Sequence, residues 1–270
     1  MSDPTPLPYG LSWWLDAVTE GDWQGLVIDD YRVVLPLPLR RKFGLLPTLA
    51  RAHFTQHCGP FGRINSGDTG ELLTHLPRTV KLSLPLRPSL AKVEVPQQYK
   101  LRERTNLVLN LEQSFSEIAD RFPGKLKAYL RKTAADTIEV ADPGEVISLS
   151  RHTLSNKPGV SEATFQSLDR LIKECRERRC GQCYRLREHG ELLALGFYPE
   201  LAGRTINLVA ASTERGRKRR GMSRLLSRLM EQRAGVAGHL FDFEGSDLPG
   251  VRQYFEKFGA QPVNYWQLER

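Results

Sequence analysis

The chain has 270 residues and a mass of 30.6 kDa, enough for one large domain or two modest ones. Hydrophobic residues make up 40% and charged residues 26%, which excludes a disordered chain. No apolar run approaches the roughly 20 residues of a bilayer span, and an excess of 39 Lys+Arg over 31 Asp+Glu, a net charge of +8, favours an anionic partner without saying which.

The amino terminus MSDPTPLPYG has neither a basic flank nor an apolar stretch, so no signal peptide is expected. Four cysteines (Cys58, Cys175, Cys180, Cys183) in a chain this long make no disulfide framework. The expectation is a cytoplasmic protein with no membrane insertion. Its oligomeric state is not legible.

In chain order, the first predicted element is a helix at Leu11–Thr19. Two strands follow, Gly25–Ile28 and Tyr31–Leu39, joined by a tight turn at Asp29-Asp30. Prolines at 36, 38, 47, 60, 77, 85, 88 and 96 forbid long helices. A further strand is predicted at Thr79–Leu84, and a connection at Leu86–Arg104. From Thr105 the pattern becomes regular. Leu107, Leu109 and Leu111 alternate on a strand over Thr105–Leu111. Ser114 and Glu117 have capping-box spacing and open a helix toward Phe122; a second helix runs past Pro123-Gly124 to about Ala135.

A short strand Thr137–Val140 and helices Glu145–Leu154 and Glu162–Arg178 come next. In the latter, Phe165, Leu168, Leu171, Ile172 and Cys175 share a face. Strands follow at Cys183–Glu188, Glu191–Tyr198 and Thr205–Thr213, the first two joined by a His189-Gly190 hairpin turn. A helix at Met222–Ala234, a strand at His239–Glu244, a helix at Val251–Phe258 and a strand at Pro262–Leu268 close the chain. There is no internal repeat.

The informative stretch is Thr205–Ala234, a strand, a basic glycine-containing loop and an amphipathic helix. A helix's first turn has unpaired N–H groups and a positive dipole end, which attract phosphate. Here Arg215, Arg217, Lys218, Arg219 and Arg220 lead into Gly221, Met222 and Ser223. The arginines offer charge-assisted phosphate contacts; Gly221 allows close backbone approach, and Ser223 keeps the first turn open. The competing reading is a solvated basic loop or a nucleic-acid patch.

Lys218-Arg-Arg-Gly221-Met-Ser223 resembles the Q/R-x-x-G-x-G/A motif of GNAT-fold acyltransferases, with Lys218 and Ser223 as departures. The run Tyr254-Phe-Glu-Lys-Phe-Gly259-Ala resembles that family's late helix end. VVLPLPLRRK within Tyr31–Lys42, Phe54-Thr-Gln-His-Cys-Gly59 and Phe241-Asp-Phe-Glu-Gly-Ser246 resemble FemAB-like proteins of the tandem-GNAT kind. The resemblance implies an α+β (mixed α/β) fold with two GNAT-like domains. Residues 1–100 would form a degenerate copy shaping the acceptor side, and residues 101–270 would carry the cofactor loop. It implies an N-acyltransferase that moves an acyl group from acetyl-CoA or another acyl-CoA to a small-molecule or peptide amine, without metal. On that reading Ala210 and Ser212, on the strand before the loop, join residues 215 and 217–223 as cofactor contacts. The alternatives are transfer from aminoacyl-tRNA, as in better-known FemAB relatives, and a non-catalytic adaptor on a GNAT scaffold.

Direct attack of an amine on a thioester calls for a base and an acid for the departing thiolate. Asp242 and Glu244 are the base candidates, sharing a strand face opposite Phe241 and Phe243; an ordinary half-exposed strand is the competing reading. In the resembling family the acid is often the tyrosine of the Y-E-K-x-G segment. Phe255 occupies that slot here, leaving Tyr254 one place earlier as the candidate acid. Tyr198 and Tyr265 read as core. Cys180-Gly-Gln-Cys183 is a lone C-x-x-C, weak as a zinc site. His53, His57 and Cys58 read as packing or surface, and Trp13, Trp14 and Trp23 as first-domain core. Lys125, Lys127, Arg131 and Lys132 around Tyr129 form a basic helix, either a solvated face or an RNA contact.

Overall fold

The computed structural model describes residues 7–42, 45–88, 95–245 and 249–270. Part of the expected connection after Leu86, and Ser246, lie outside them. The chain divides into two compact units, Met1–Thr105 with Val263–Arg270, and Asn106–Pro262. The closing strand, read in sequence as part of the second half, thus belongs largely to the first unit.

In the first unit α1 (Ser12–Thr19) precedes β1 (Gln24–Ile28) and β2 (Val33–Leu37), an antiparallel pair. β3 (Leu39–Lys42) and β4 (Leu46–Ala50) form a second hairpin; β5 (Phe61–Gly62) pairs β2, and α2 (Asp68–Thr74) leads to β6 (Lys81–Pro85). The predicted strand Tyr31–Leu39 is therefore broken at Pro38, which has no N–H to give a ladder. Its core joins Val33, Leu35 and Leu37 to Leu49, Leu72, Leu82, Leu84 and Leu268.

The second unit begins within β7 (Lys100–Asn110). Then come α3 (Phe115–Asp120), α4 (Gly124–Lys132), β8 (Ile138–Val140), α5 (Pro143–Leu154) and α6 (Glu162–Glu177). β9 (Gly181–Glu188), β10 (Glu191–Leu201), β11 (Arg204–Ile206) and β12 (Val209–Ser212) follow. After them come α7 (Glu214–Lys218), α8 (Gly221–Arg233), β13 (Leu240–Gly245), α9 (Pro249–Glu256) and β14 (Gln261–Glu269). The strand order in this unit is β7-β13-β11-β10-β9-β8, with β12 also on β10.

The Ser114 capping box forms as expected, the hydroxyl accepting from the Glu117 N–H. His189 and Gly190 both take positive φ, 51° and 80°, the geometry of a two-residue hairpin turn matched to strand twist. Leu225, Leu226, Leu229 and Met230 of α8 meet Leu126 and Leu130 of α4, Phe255 and Phe258, and the strand residues Leu109, Leu193 and Phe241. This core fixes α4, α8 and α9 around one end of α8. Among the described residues no helix is long and apolar enough to cross a membrane.

Candidate functional site

The strand expected over Thr205–Thr213 is interrupted. β11 pairs β10 on one side and β13, in parallel, on the other, over residues 204–206 and 240–242. The last link is the Asn207 N–H donating to the Asp242 carbonyl at 2.8 Å. Beyond it β12 pairs with β10 alone among the described strands, while β13 shifts register against β7. Two neighbouring strands thus part after Asn207 and leave one backbone edge of β12 without a strand partner. Along it Ala210 is exposed and Ser212 half-buried, between buried Val209 and Ala211.

The parting is held by Asp242. Its side chain is buried and accepts from Arg204 Nη1 at 2.6 Å, Asn106 Nδ2 at 3.0 Å and the Glu244 N–H at 2.8 Å. Glu244 lies at φ 60°, outside the alternation that was to align the two carboxylates. The shared strand face expected for this pair does not form. Asp242 is committed to an ion pair and to the bulge, and Glu244, half-buried, points by a different rule.

The basic loop is not a loop. Glu214–Lys218 is helical, with the Thr213 hydroxyl accepting from the Gly216 N–H at 3.0 Å. A Cβ at Gly216 would lie 1.7 Å from the Leu193 carbonyl oxygen, and one at Gly221 would lie 2.8 Å from Leu193 Cβ. Gly221 thus also allows α8 to pack closely against β10. Arg220, in the left-handed region at φ 47°, separates α7 from α8. It gives α8 no side-chain cap, so the first-turn N–H groups of this thirteen-residue helix are left without a side-chain acceptor from the N-cap.

Most of the loop's charge is answered from within the same unit. Arg219 grips Glu188 through two bonds of 3.0 Å, and Arg215 meets Glu191 at 3.0 Å. Arg224, buried, spans Asp136 and Glu188, and Lys218 pairs with Glu214. The Arg219 guanidinium, followed by that of Arg224, holds the Glu188 carboxyl at about 2, well below the usual carboxylate range. Arg217 donates to the Ser212 carbonyl. Arg220 has no carboxylate partner among the described residues; its guanidinium lies 4.9 Å from the centre of the Tyr129 ring, whose O–H donates to the Arg219 carbonyl.

Beside Arg220 opens a cavity of about 510 Å³, lined by Lys125, Arg220, Ser223, Tyr254, Lys257 and the apolar Leu126 and Phe258. Among the described residues no carboxylate lines it. The Tyr254 hydroxyl and Ser223 Oγ are 2.9 Å apart, and burial pushes the Tyr254 phenol up to about 12. Phe255 turns into the core, stacked on Phe243 at 4.6 Å. Of the two neighbours it is Tyr254 that faces the cavity. Met222 packs beneath, its sulfur 3.9 Å from the Tyr198 hydroxyl. Lys257, read in sequence only as part of a helix-end motif, and Lys125, read as one charge on a basic helix, are the lining cations that sequence reasoning passed over. No local pattern joins positions 125 and 257; the core joins them.

Several of the remaining expectations resolve as packing, although Trp13 and Trp23, expected in the core, are half-buried and Trp23 Nε1–H donates to Asp16 Oδ1 at 2.7 Å. Tyr198 is buried, and Tyr265 sits in the first unit against His57, with ring centroids 4.7 Å apart. His57 Nδ1 meets the Leu86 carbonyl, and Trp14 is buried. Cys183 is buried, and among the described residues no group of three His, Cys, Asp or Glu is placed to hold a metal ion.

No family model matches the sequence, and no curated protein does. Solved structures do. The crystal structure of FemX is similar over 98% of this chain and 93% of that chain, with a TM-score of 0.67 and 10% identity. The fold of the chain is thus similar to that of FemX. A Bacteroides thetaiotaomicron protein of unknown function matches over 99% of this chain and 92% of its own (TM-score 0.58, 10% identity). A C-terminal domain assigned to a lysylphosphatidylglycerol synthetase of Agrobacterium fabrum matches over 96% and 87% (TM-score 0.57, 11% identity).

Proposed function

We propose that the chain is an N-acyltransferase whose donor is an acyl-CoA, transferring the acyl group to an amine by direct attack on the thioester. The observation that carries this reading is the cavity at the start of α8. Three cations (Lys125, Arg220, Lys257) and an uncapped helix end meet there with no carboxylate among the lining residues, a surrounding that suits phosphate groups. The parting of β12 from β13 supports it, since β12's unpaired edge offers backbone partners to an extended arm. Of the donor contacts that the GNAT resemblance implies, Arg220 and Ser223 line this cavity.

In the transfer, the neutral amine nitrogen forms its bond to the thioester carbon and gives up a proton to solvent, the carbon–sulfur bond breaks, and the leaving thiolate takes a proton from an acid that solvent then reprotonates. Tyr254 is the proposed proton source. Its phenol is neutral at neutral pH and is fixed by Ser223. Residues 1–100 are proposed as the degenerate copy of the tandem and residues 101–270 as the donor-binding domain. The similarity to FemX across the chain favours a second reading, an aminoacyl-tRNA donor, for which the same cations would meet nucleotide phosphates.

Calorimetric titration separates the two. Saturable binding of CoA and acetyl-CoA, with ATP at least tenfold weaker, supports the first. Absence of CoA binding together with tRNA binding that weakens steeply with salt supports the second.

A further inference from the structure

The helix α6 ends in a Schellman motif, in which the chain turns back through one left-handed residue. Arg179 takes that conformation, at φ 54°. The Cys180 N–H donates to the Cys175 carbonyl at 2.8 Å, and the Arg179 N–H to the Arg176 carbonyl at 3.0 Å. This pairing folds the residue after the turn back onto the last turn of the helix, so that the two side chains meet. Commonly the contact is between apolar groups; here it falls to the thiols of Cys175 and Cys180. Gly181 leaves room for it, since a Cβ there would lie 3.0 Å from Cys175 Cβ. The thiol that the fold sets against Cys180 is thus that of Cys175, and not that of Cys183 in the C-x-x-C run.

The two thiols differ in the way a nucleophile differs from the group that resolves it. Cys175 is fully buried on the apolar face of α6, whereas Cys180, just before β9, keeps part of its surface in solvent. The Cys175 thiol beside it, with the Arg178 guanidinium second, holds the Cys180 thiol below the ordinary thiol range, and the same contact pushes Cys175 up. The thiolate is the reactive form, so charge and access fall on one sulfur. Cys183 has neither: it is buried, and burial pushes its thiol up to about 12.

We propose that Cys180 and Cys175 form a site of reversible oxidation by hydroperoxides. The Cys180 thiolate attacks a peroxide oxygen, the O–O bond breaks, and the departing oxygen takes a proton and leaves as water or an alcohol. Cys180 is then a sulfenic acid. The Cys175 sulfur attacks the Cys180 sulfur, the S–O bond breaks, and the hydroxide takes the Cys175 proton and leaves as water. Two thiols lose two electrons to form one disulfide, and the peroxide gains them. The bridge ties the end of α6 to the start of β9, and a dithiol reductant reopens it. Glu188, which grips the arginine-rich segment, stands at the other end of β9. The site is therefore separate from the acyl-donor reading, and either can fail without the other.

The test treats the folded, full wild-type chain with hydrogen peroxide, then alkylates free thiols and digests with trypsin. Cleavage after Arg176 and Arg179 puts Cys175 and Cys180 on separate peptides, while Cys183 stays on the peptide of Cys180. Mass spectrometry is expected to find peptide 174–176 linked to peptide 180–185, and dithiothreitol to release it. Before oxidation, iodoacetamide at neutral pH is expected to alkylate Cys180 about tenfold faster than Cys175 or Cys183. Cys175→Ala, folded by circular dichroism, is expected to leave a sulfenic acid on Cys180 that dimedone captures, and Cys183→Ala to keep the link. The proposal is overturned if the bridge joins Cys180 to Cys183, if the wild-type chain gives no linked peptide, or if folded Cys175→Ala gives no dimedone adduct.

Discussion

Two basic regions of the second unit differ in what their charge is for. The stretch from Arg215 to Arg224 is the densest run of cations in the sequence, yet in the fold Glu188, Glu191, Glu214 and Asp136 answer most of it. The cavity beside it draws Lys125, Arg220 and Lys257 from three separate segments and has no carboxylate in its lining among the described residues. Charge that is conspicuous along a chain is therefore not the same as charge available to a ligand. On the proposed reading the first region serves the fold and the second the donor.

That contrast is broken or sharpened by substitutions that separate stability from binding. The largest effect is expected at Gly216→Ala, whose Cβ would overlap the Leu193 carbonyl oxygen. Backbone overlap of this kind is expected to cost about 3 kcal/mol or more, read as a lowered urea midpoint or as loss of soluble protein. Arg204→Met, which strands the buried Asp242 carboxylate, is expected to cost about 3–5 kcal/mol. A double variant Arg204→Met/Asp242→Leu should recover much of that loss. If Arg204→Met unfolds like wild type, the assignment of Asp242 to structure is wrong.

A pH series tests the Glu188 clamp. Its carboxyl is held at about 2 against the ordinary 4.5, so below 4.5 the unfolded chain binds more protons than the folded one at this site. The clamp's contribution is complete above about pH 4.5 and declines as pH falls toward 2. Glu188→Gln is expected to lower stability at neutral pH and to flatten the acid limb of the stability curve; an unchanged limb would remove Glu188 from the account. The smallest stability effect belongs to Tyr254→Phe, which loses one hydrogen bond to Ser223, about 0.5–1.5 kcal/mol. If Tyr254 protonates the leaving thiolate, the same change lowers kcat with little effect on KM; equal kcat would leave it a positioning group.

How far the sequence could be read follows the range of the forces. Elements set by neighbours three or four residues apart were legible, among them the Ser114 capping box, the apolar faces of α6 and α8, and the His189-Gly190 turn. α2, short and entered through the left-handed Gly67, was not. Arg32 ties Asp68 of α2 across 36 residues at 2.6 Å, a contact with no local trace. The break between β11 and β12 depends on Asp242 and Arg204, 38 residues apart. Nor could α7 be foreseen, since it rests on Gly216 against Leu193. In the candidate site Arg220, Ser223 and Tyr254 were named from motif and spacing, whereas Lys125 and Lys257 join them only through packing of α4 and α9 around α8. The commitment of Asp242 to an ion pair was equally invisible, because its partners Arg204 and Asn106 are distant in the chain.

The most direct measurement compares acetyl-CoA binding by calorimetry in two charge-reversed variants, Lys125→Glu/Lys257→Glu and Arg215→Glu/Lys218→Glu. All four positions are exposed, so both variants are expected to fold. The account predicts at least a tenfold loss of affinity, about 1.4 kcal/mol, for the cavity variant and a change of less than about threefold for the loop variant. The reverse order, or equal losses in both, would contradict it and return the donor's phosphates to the arginine-rich segment.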